Sequence, residues 1–297
     1  MKYVITGAAG NISRPLAEKL LNAGHEVTVI SRRAENIKSL TDKDAKAAIG
    51  SVQDIEFLKT AFAGADAVYT MVPPKYDVTD MKGYIASIGK NYAEALKTTN
   101  IKYVVNLSSV GAHLPDGAGP VSGLYRVEQA LNELKNTNIK HLRPTYFFAN
   151  FLGNVGMVKN MNIIGGNFGG ADFKMLLADT NDIAEAAFEE LSNLDFKGHA
   201  VRYIGSDERS TEDIAKTLGA VIGKPQLPWI IFNDEQAFGG MMQMGLPENA
   251  AKNYTEMGHA MHSGIMFEDY WKHHPAQLGK TKLEDFAKTF AAVYNSN

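Results

Sequence analysis

Residues 5–14, ITGAAGNISR, constrain the fold of this chain more than any other stretch. A short apolar run, KYVIT, leads into them, and a helical pattern, SRPLAEKLLNAG, leads out. Gly7 and Gly10 stand three apart, and Ser13 occupies the place where a third glycine completes the dinucleotide fingerprint. Strand, glycine turn and helix in that order aim backbone N–H groups outward at a helix N-terminus, where the dipole favours an anion. Gly7 permits the tight turn, and Gly10 lets the backbone approach a pyrophosphate. The third glycine mainly serves close helix–strand packing, so a small serine is compatible with the site. The alternative is a phosphate-free loop in an unrelated α/β fold. Ser13 is also a candidate helix cap, Pro15 fits the first turn, and Gly24 follows the end.

The alternation continues. HEVTVISR reads as a second strand, AKAAIG as a weak third, ADAVYTMV as a fourth, IKYVVNLSSV as a fifth and IKHLRP as a sixth. Helices are expected near 55–62, over 79–99 and over 123–135. Strands separated by helices imply an α/β, Rossmann-type doubly wound parallel sheet with right-handed crossovers. Ligands of such sheets bind beyond the carboxyl ends of the strands.

The end of the second strand sharpens the ligand. NAD sites usually carry an acid there to hold the ribose hydroxyls. Here Ser31, Arg32 and Arg33 follow Ile30, and no acid appears before Glu35. Two guanidiniums suit a 2′-phosphate, so NADP(H) is expected over NAD(H). Two solvated surface arginines are the alternative.

Composition narrows the function. The chain has 297 residues, 45% of them hydrophobic, which suits one large domain or two interlocked ones. A net charge of −3 gives no basic excess to hold a nucleic-acid backbone directly. The absence of cysteine excludes a disulfide framework, a thiolate metal site and a cysteine nucleophile. Met1 runs almost directly into the first strand, and no apolar stretch approaches the ~20 residues that span a bilayer. The expectation is a cytoplasmic protein with no membrane segment.

Taken together, YVITGAAGNISRPLAEKLL, the SRR after strand two, VVNLSSVGA and LRPTYFFANFL resemble the NmrA-like group of atypical short-chain dehydrogenases/reductases. The resemblance runs over most of the chain and is firmest through about residue 155. It implies an NAD(P)-binding Rossmann core over 1–155 and a smaller C-terminal substrate lobe over 156–297, with segments near 160–205 returning to the core. It also implies either quinone- and dye-reductase activity or a redox-sensing role with little turnover. By resemblance, Gly7, Ala9, Gly10, Asn11 and Ile12 correspond to the pyrophosphate turn, and Arg32 and Arg33 to the groups that meet the adenosine phosphate. Asp54 matches an acid near the adenine, although it also suits a helix cap. Val72 and Pro73 follow strand four on the path from adenosine to nicotinamide. Ser108 and Ser109 end strand five near the nicotinamide ribose. Pro144, Tyr146 and Phe147 match the segment over the nicotinamide, and the two aromatics equally suit core packing.

The usual catalytic pair is missing. Ordinary short-chain reductases use a tyrosine with a lysine four residues later, whose charge lowers the tyrosine pKa. The nearest match here is Tyr125 with Gln129, and glutamine supplies no such field. Leu124 stands where many relatives carry a cationic residue before the glutamate that matches Glu128. Alcohol dehydrogenation and sugar-nucleotide epimerisation are therefore disfavoured. Quinone reduction needs less, because the aryloxide it forms is already stabilised. Tyr125 and His113 remain the candidate proton donors, the latter in the loop after strand five. Core packing and surface solvation are their respective alternatives.

In the second half, TNDIAEAAFEEL reads as a helix starting at Thr180 or Asn181, GHAVRYIG as a strand, STEDIAKTLGAVIGKP as a helix and QLPWIIF as a possible strand. TKLEDFAKTFAAVY is an amphipathic terminal helix. Met241, Met242, Met244, Met257, Met261 and Met266 suit a flat hydrophobic pocket or, equally, a loosely specified helical core. The adjacent His273 and His274 do not share a helix face, and no metal is expected. The leading expectation is an NADPH-dependent oxidoreductase acting on a quinone or similar aromatic substrate. The second is a dinucleotide sensor with a regulatory protein partner, and a homodimer is compatible with either.

Overall fold

The computed structural model describes residues 1–170 and 172–296. The first half alternates as expected: β1 (Lys2–Ile5), α1 (Ser13–Asn22), β2 (Glu26–Ser31), α2 (Lys38–Thr41), β3 (Lys46–Ile49), α3 (Ile55–Phe62), β4 (Ala67–Thr70), α4 (Met81–Thr99), β5 (Tyr103–Leu107), α5 (Pro120–Asn132) and β6 (Asn138–Pro144). The second half carries β7 (Tyr146–Phe147), α6 (Val155–Met161), β8 (Ile164–Gly166), β9 (Lys174–Ala178), α7 (Thr180–Asn193), β10 (His199–Ile204), β11 (Asp207–Ser210), α8 (Thr211–Ala220) and β12 (Trp229–Ile231). It closes with α9 (Asp234–Gln243), α10 (Glu248–His262), α11 (Glu268–Lys272) and α12 (Leu283–Ser296).

Seven parallel strands form one sheet in the order β3-β2-β1-β4-β5-β6-β10. The order reverses between β1 and β4, which opens a crevice above their carboxyl ends. Apolar residues of α1 and α7 cover one face, among them Leu16, Leu20, Ile183 and Leu191. α3, α4 and α5 cover the other with Leu58, Ile88, Tyr92 and Val127. Two further small sheets, β11-β9-β7 and β12-β8, lie beyond the end of β6. With α6, α8, α10 and α12 they build a separate core around Phe148, Phe151, Leu177 and Phe290.

Two buried polar systems pin the central strands. Thr70, Asn106 and His141 are direct neighbours across β4, β5 and β6. Thr70 Oγ1 donates to Asn106 Oδ1 at 2.9 Å, Asn106 Nδ2 meets His141 Nδ1 at 3.1 Å, and His141 Nε2 meets Asn132 Oδ1 at 3.0 Å. The amide donor on Nδ1 and the carbonyl acceptor on Nε2 select the neutral Nε2–H tautomer. Beside this row, Arg143 of β6 forks onto Glu128 of α5, with Nη2 2.6 Å from Oε2 and Nε 3.0 Å from Oε1. Its Nη1 donates to Tyr203 Oη at 2.9 Å and to Asp269 Oδ2 at 3.0 Å, which ties β10 and α11 to the core. Burial opposes the Arg143 charge, but Glu128 outweighs it and holds the guanidinium above its ordinary pKa.

Several boundaries differ from the sequence expectation for local reasons. Ser13 does not cap α1: it is the first helical residue, its side chain turned inward toward Tyr69, and the N-cap position is Ile12 with no side-chain cap. α4 starts at Met81 because Asp80 accepts from the Gly83 N–H at 2.8 Å. α5 spans Pro120–Asn132 rather than 123–135, since Pro120 supplies the fixed φ of a first turn. The cap of α7 is Asp179, which accepts from the Asn181 N–H at 2.8 Å, and not Thr180 or Asn181.

Candidate functional site

The crevice at the β1/β4 reversal is floored by the glycine turn. Gly7 sits at φ +62, and a Cβ there would lie 2.4 Å from Met71 Sδ. The Gly10 N–H closes the turn on the Gly7 carbonyl at 2.9 Å. Ala9 and Asn11 are exposed, whereas Ile12 is buried beneath them. α1 then begins with no side-chain cap and no acid in its first turn. An uncapped, acid-free helix N-terminus behind a glycine turn is what a pyrophosphate needs. Arg14 braces the turn by donating from Nη2 to the carbonyls of Ala9 and Asn36, each at 3.3 Å.

Arg32 and Arg33 follow β2 at the mouth of the crevice, both exposed. Neither makes an ion pair with a carboxylate among the described residues. Asp54 caps α3 by accepting from the Phe57 N–H at 3.0 Å, as its structural alternative required. Val72 and Pro73 line the exit of β4, and the Pro73 carbonyl accepts from Tyr84 Oη at 3.3 Å. Ser108 is buried, its Oγ donating to Glu128 Oε1 at 2.5 Å. The Arg143 system thus sets the position of the chain where β5 ends.

Beyond Ser108 lies a cavity of about 1220 Å³. Ser109, Val110, Tyr146 and Phe147 form its wall on the sheet side. Met157 and Met161 of α6, Met257 and Met261 of α10, and Met266 line its sides. Met241 and Met244 close it from the α9 side, together with Gln236, Gln243 and the glycines at 239 and 240. Of the methionines singled out from sequence, only Met242 lies outside this wall, 40% exposed. α9 itself has no buried residue. It is fastened at its start: Asn167 Nδ2 donates to Asp234 Oδ1 at 2.8 Å, and His259 Nδ1 lies 3.1 Å from Asp234 Oδ2.

Thr145 was not anticipated. It lines the cavity and is only 2% exposed, yet its Oγ1 has no hydrogen-bond partner. A buried hydroxyl without a partner costs about 1–3 kcal/mol, so this oxygen fits a ligand's polar group. Asn150, Asn154 and Asn167 are further polar wall residues that sequence reasoning missed. Their only signal is position after β7 and β8, which takes the fold to read.

The two candidate proton donors lie apart from this wall. Tyr125 is half-buried on α5. His113 sits in the loop after β5, close to Asp269 and Arg143. Burial pushes its imidazole below the ordinary value. Neither ring nitrogen makes a hydrogen bond of good geometry, although the Ile265 backbone lies close by. Pro144 ends β6, and its carbonyl accepts from the Val110 N–H at 2.9 Å, which aligns the two cavity-side loops. Among the described residues no group of three His, Asp or Glu side chains is arranged to hold a metal. No helix among them is long and apolar enough to cross a membrane.

Comparison with known proteins places this geometry. Residues 7–145 match the NAD(P)H-binding family, from the glycine turn to the end of β6. An NAD(P)H azoreductase of Xenophilus azovorans is 23% identical over 254 residues, covering 86% of this chain and 85% of that protein. A crystal structure of an NADPH-dependent quinone oxidoreductase of Escherichia coli superposes with a TM-score of 0.79 at 18% identity, covering 97% of this chain and 98% of the other. A nucleoside-diphosphate-sugar epimerase of Staphylococcus aureus shares the fold with a TM-score of 0.80 at 16% identity, over 97% and 100% of the two chains. Residues 7–145 thus carry the likeness to NAD(P)H-binding proteins, and nearly the whole chain shares its fold with the quinone oxidoreductase and the epimerase.

Proposed function

We propose that this protein is an NADPH-dependent oxidoreductase that reduces a quinone or similar conjugated acceptor. The observation that carries the reading is the Met- and aromatic-lined cavity directly beyond Ser109, Tyr146 and Phe147, at the carboxyl end of the sheet. In this reading the turn from Gly7 through Ala9, Gly10, Asn11 and Ile12 holds the pyrophosphate. Arg32 and Arg33, free of carboxylate partners among the described residues, take the 2′-phosphate by forked hydrogen bonds. Val72 and Pro73 flank the path toward the nicotinamide, Asp54 stands at its adenine end, and Ser108 and Ser109 lie at the ribose. Pro144, Tyr146 and Phe147 shape the nicotinamide's seat, where Thr145 Oγ1 donates to a carbonyl oxygen.

The bound dinucleotide supplies the hydride, and one proton from solvent completes a hydroquinone. The chain's own residues orient a flat acceptor and keep water from it. Among the described residues the cavity wall offers no histidine or lysine as a proton donor, which suits an acceptor whose reduced oxygen is stabilised as an aryloxide. The azoreductase and quinone oxidoreductase among the similar proteins support this class of substrate.

The test is a calorimetric titration of NADPH, NADP⁺, NADH and NAD⁺, followed by a screen of quinones and dyes with the preferred reductant. The expected result is tighter binding of the phosphorylated pair, lost in Arg32→Ala/Arg33→Ala, and oxidation of NADPH by at least one quinone. No turnover with a broad acceptor panel would sink the catalytic reading.

A second reading is a dinucleotide-binding sensor with little turnover. It is favoured by the placement of Tyr125 and His113 outside the cavity wall. A sensor must bind NADPH and NADP⁺ unequally and change shape or assembly between them. Identical sedimentation and amide exchange in the two complexes would remove it.

A further inference from the structure

Every described residue in the cavity wall is uncharged: no Asp, Glu, Lys, Arg or His lines it. A wall of that extent drawn at random from a chain 21% charged would hold several. Two charged sites on elements that border it are committed elsewhere. Lys82 of α4 pairs with Glu256 of α10 at 2.8 Å, and Asp234 is held by Asn167 and His259. The remaining polar wall groups are neutral hydroxyls and amides: Ser109, Thr145, Asn150 and Gln243 stand among methionines and rings. Burial pushes the phenols of Tyr146 and Tyr254 above their ordinary value, so they stay un-ionised near neutral pH.

The consequence is electrostatic. A carboxylate, sulfonate or diphosphate entering this space gives up its hydration and meets no cation. A neutral fused-ring compound gives up little. It gains contact with methionines that adapt to its outline and with ring faces and edges. Thr145 Oγ1, the one buried hydroxyl of the wall without a partner among the described residues, matches a carbonyl oxygen. We propose that this cavity selects its acceptor by charge: it takes uncharged, fused-ring carbonyl compounds and excludes their anionic counterparts, including sulfonated dyes and nucleoside-diphosphate sugars. The proposal rests on the cavity being the acceptor site, as argued above, and narrows that site's substrate class.

The probe is a matched pair of 1,4-naphthoquinones, one carrying a propanamide arm and the other a propanoate arm. The saturated arm keeps the ring potentials nearly equal, so charge is the variable. Binding is read by calorimetry on the cofactor-free protein, so that the cationic ring of NADP⁺ does not enter the comparison and turnover plays no part. The amide is expected to bind tighter by about tenfold to a hundredfold. Gln243→Arg, which places a cation in the wall, is expected to narrow or invert that ratio. Equal affinities in the wild type, tighter binding of the propanoate, or no binding by either compound would each overturn the proposal. Turnover separates it from the parent reading. Selective binding of an amide that is never reduced leaves charge selection standing and removes the reductase. Equal kcat/KM for the pair does the reverse.

Discussion

His141 makes the fold acid-sensitive in a calculable way. The imidazole is 1% exposed and fully bonded as the neutral form between Asn106 and Asn132. Desolvation lowers its pKa from 6.5 to about 4, with the Arg143 charge helping and Glu128 opposing. The unfolded chain therefore binds this proton more readily than the folded one. The stabilisation is fully present above pH 6.5 and is lost as pH falls toward 4. The whole difference corresponds to about 3 kcal/mol, most of it gone by pH 4.5. Urea unfolding at pH values from 7.5 to 4.5, run on wild type and His141→Gln, isolates the contribution. The variant is expected to be less stable at neutral pH and to lose less on acidification. The wild-type curve should fall about 2–3 kcal/mol further between those limits. Histidine NMR on the wild type provides an independent reading that needs no variant. Parallel pH profiles for the two proteins, or a directly measured pKa near 6.5, would refute the reasoning.

Three other perturbations follow from the geometry. Gly7→Ala forces a Cβ against Met71 Sδ at a backbone angle that L-residues disfavour by about 1–2 kcal/mol. Its dinucleotide Kd, measured by calorimetry, should rise at least tenfold, and an unchanged Kd would contradict a close approach at this turn. Thr145→Val removes a hydroxyl that has no partner within the protein, so the melting temperature should hold or rise while ligand affinity falls several-fold. A drop in stability without loss of affinity would assign the hydroxyl to the fold instead. Glu128→Gln leaves Arg143 buried beside a neutral amide and should cost about 3 kcal/mol in denaturant unfolding. A loss below 1 kcal/mol would mean that Asp269 alone compensates the guanidinium.

Much of the first half was legible because its signals are local. The apolar runs at β1, β4 and β5 are short and buried on both faces, and each is followed by a helix with the period of an amphipathic surface. The glycine turn needed only its own letters and its place between KYVIT and a helix. The cavity was less legible, because it is assembled from segments far apart in the chain. Thr145, Asn167 and Tyr254 become neighbours only once β7 pairs with β9 and β12 with β8. Those strands run two to five residues, too short for a pattern of alternation to emerge. The methionines at 241–244 and along α10 stand out in the sequence, but their spacing fits a core as well as a wall. Ser13 and Asp179 show a different limit. Several adjacent residues can cap a helix: Ser13 is lost to that role because its own side chain is drawn into the core, whereas at α7 the helix starts one residue earlier and Asp179 takes the cap.

The α9 helix ties the occupancy of the cavity to its own order. With no buried residue and two glycines in its second half, it contributes little apolar area to the fold. Its start is latched by Asn167 and His259, α10 packs against it, and Met241 and Met244 beyond that latch line the cavity. Under the proposed function, an acceptor filling the cavity adds apolar contact to the side of this helix that carries Met241. Amide exchange in that segment becomes a gauge of how full the cavity is, readable with a compound that is never reduced.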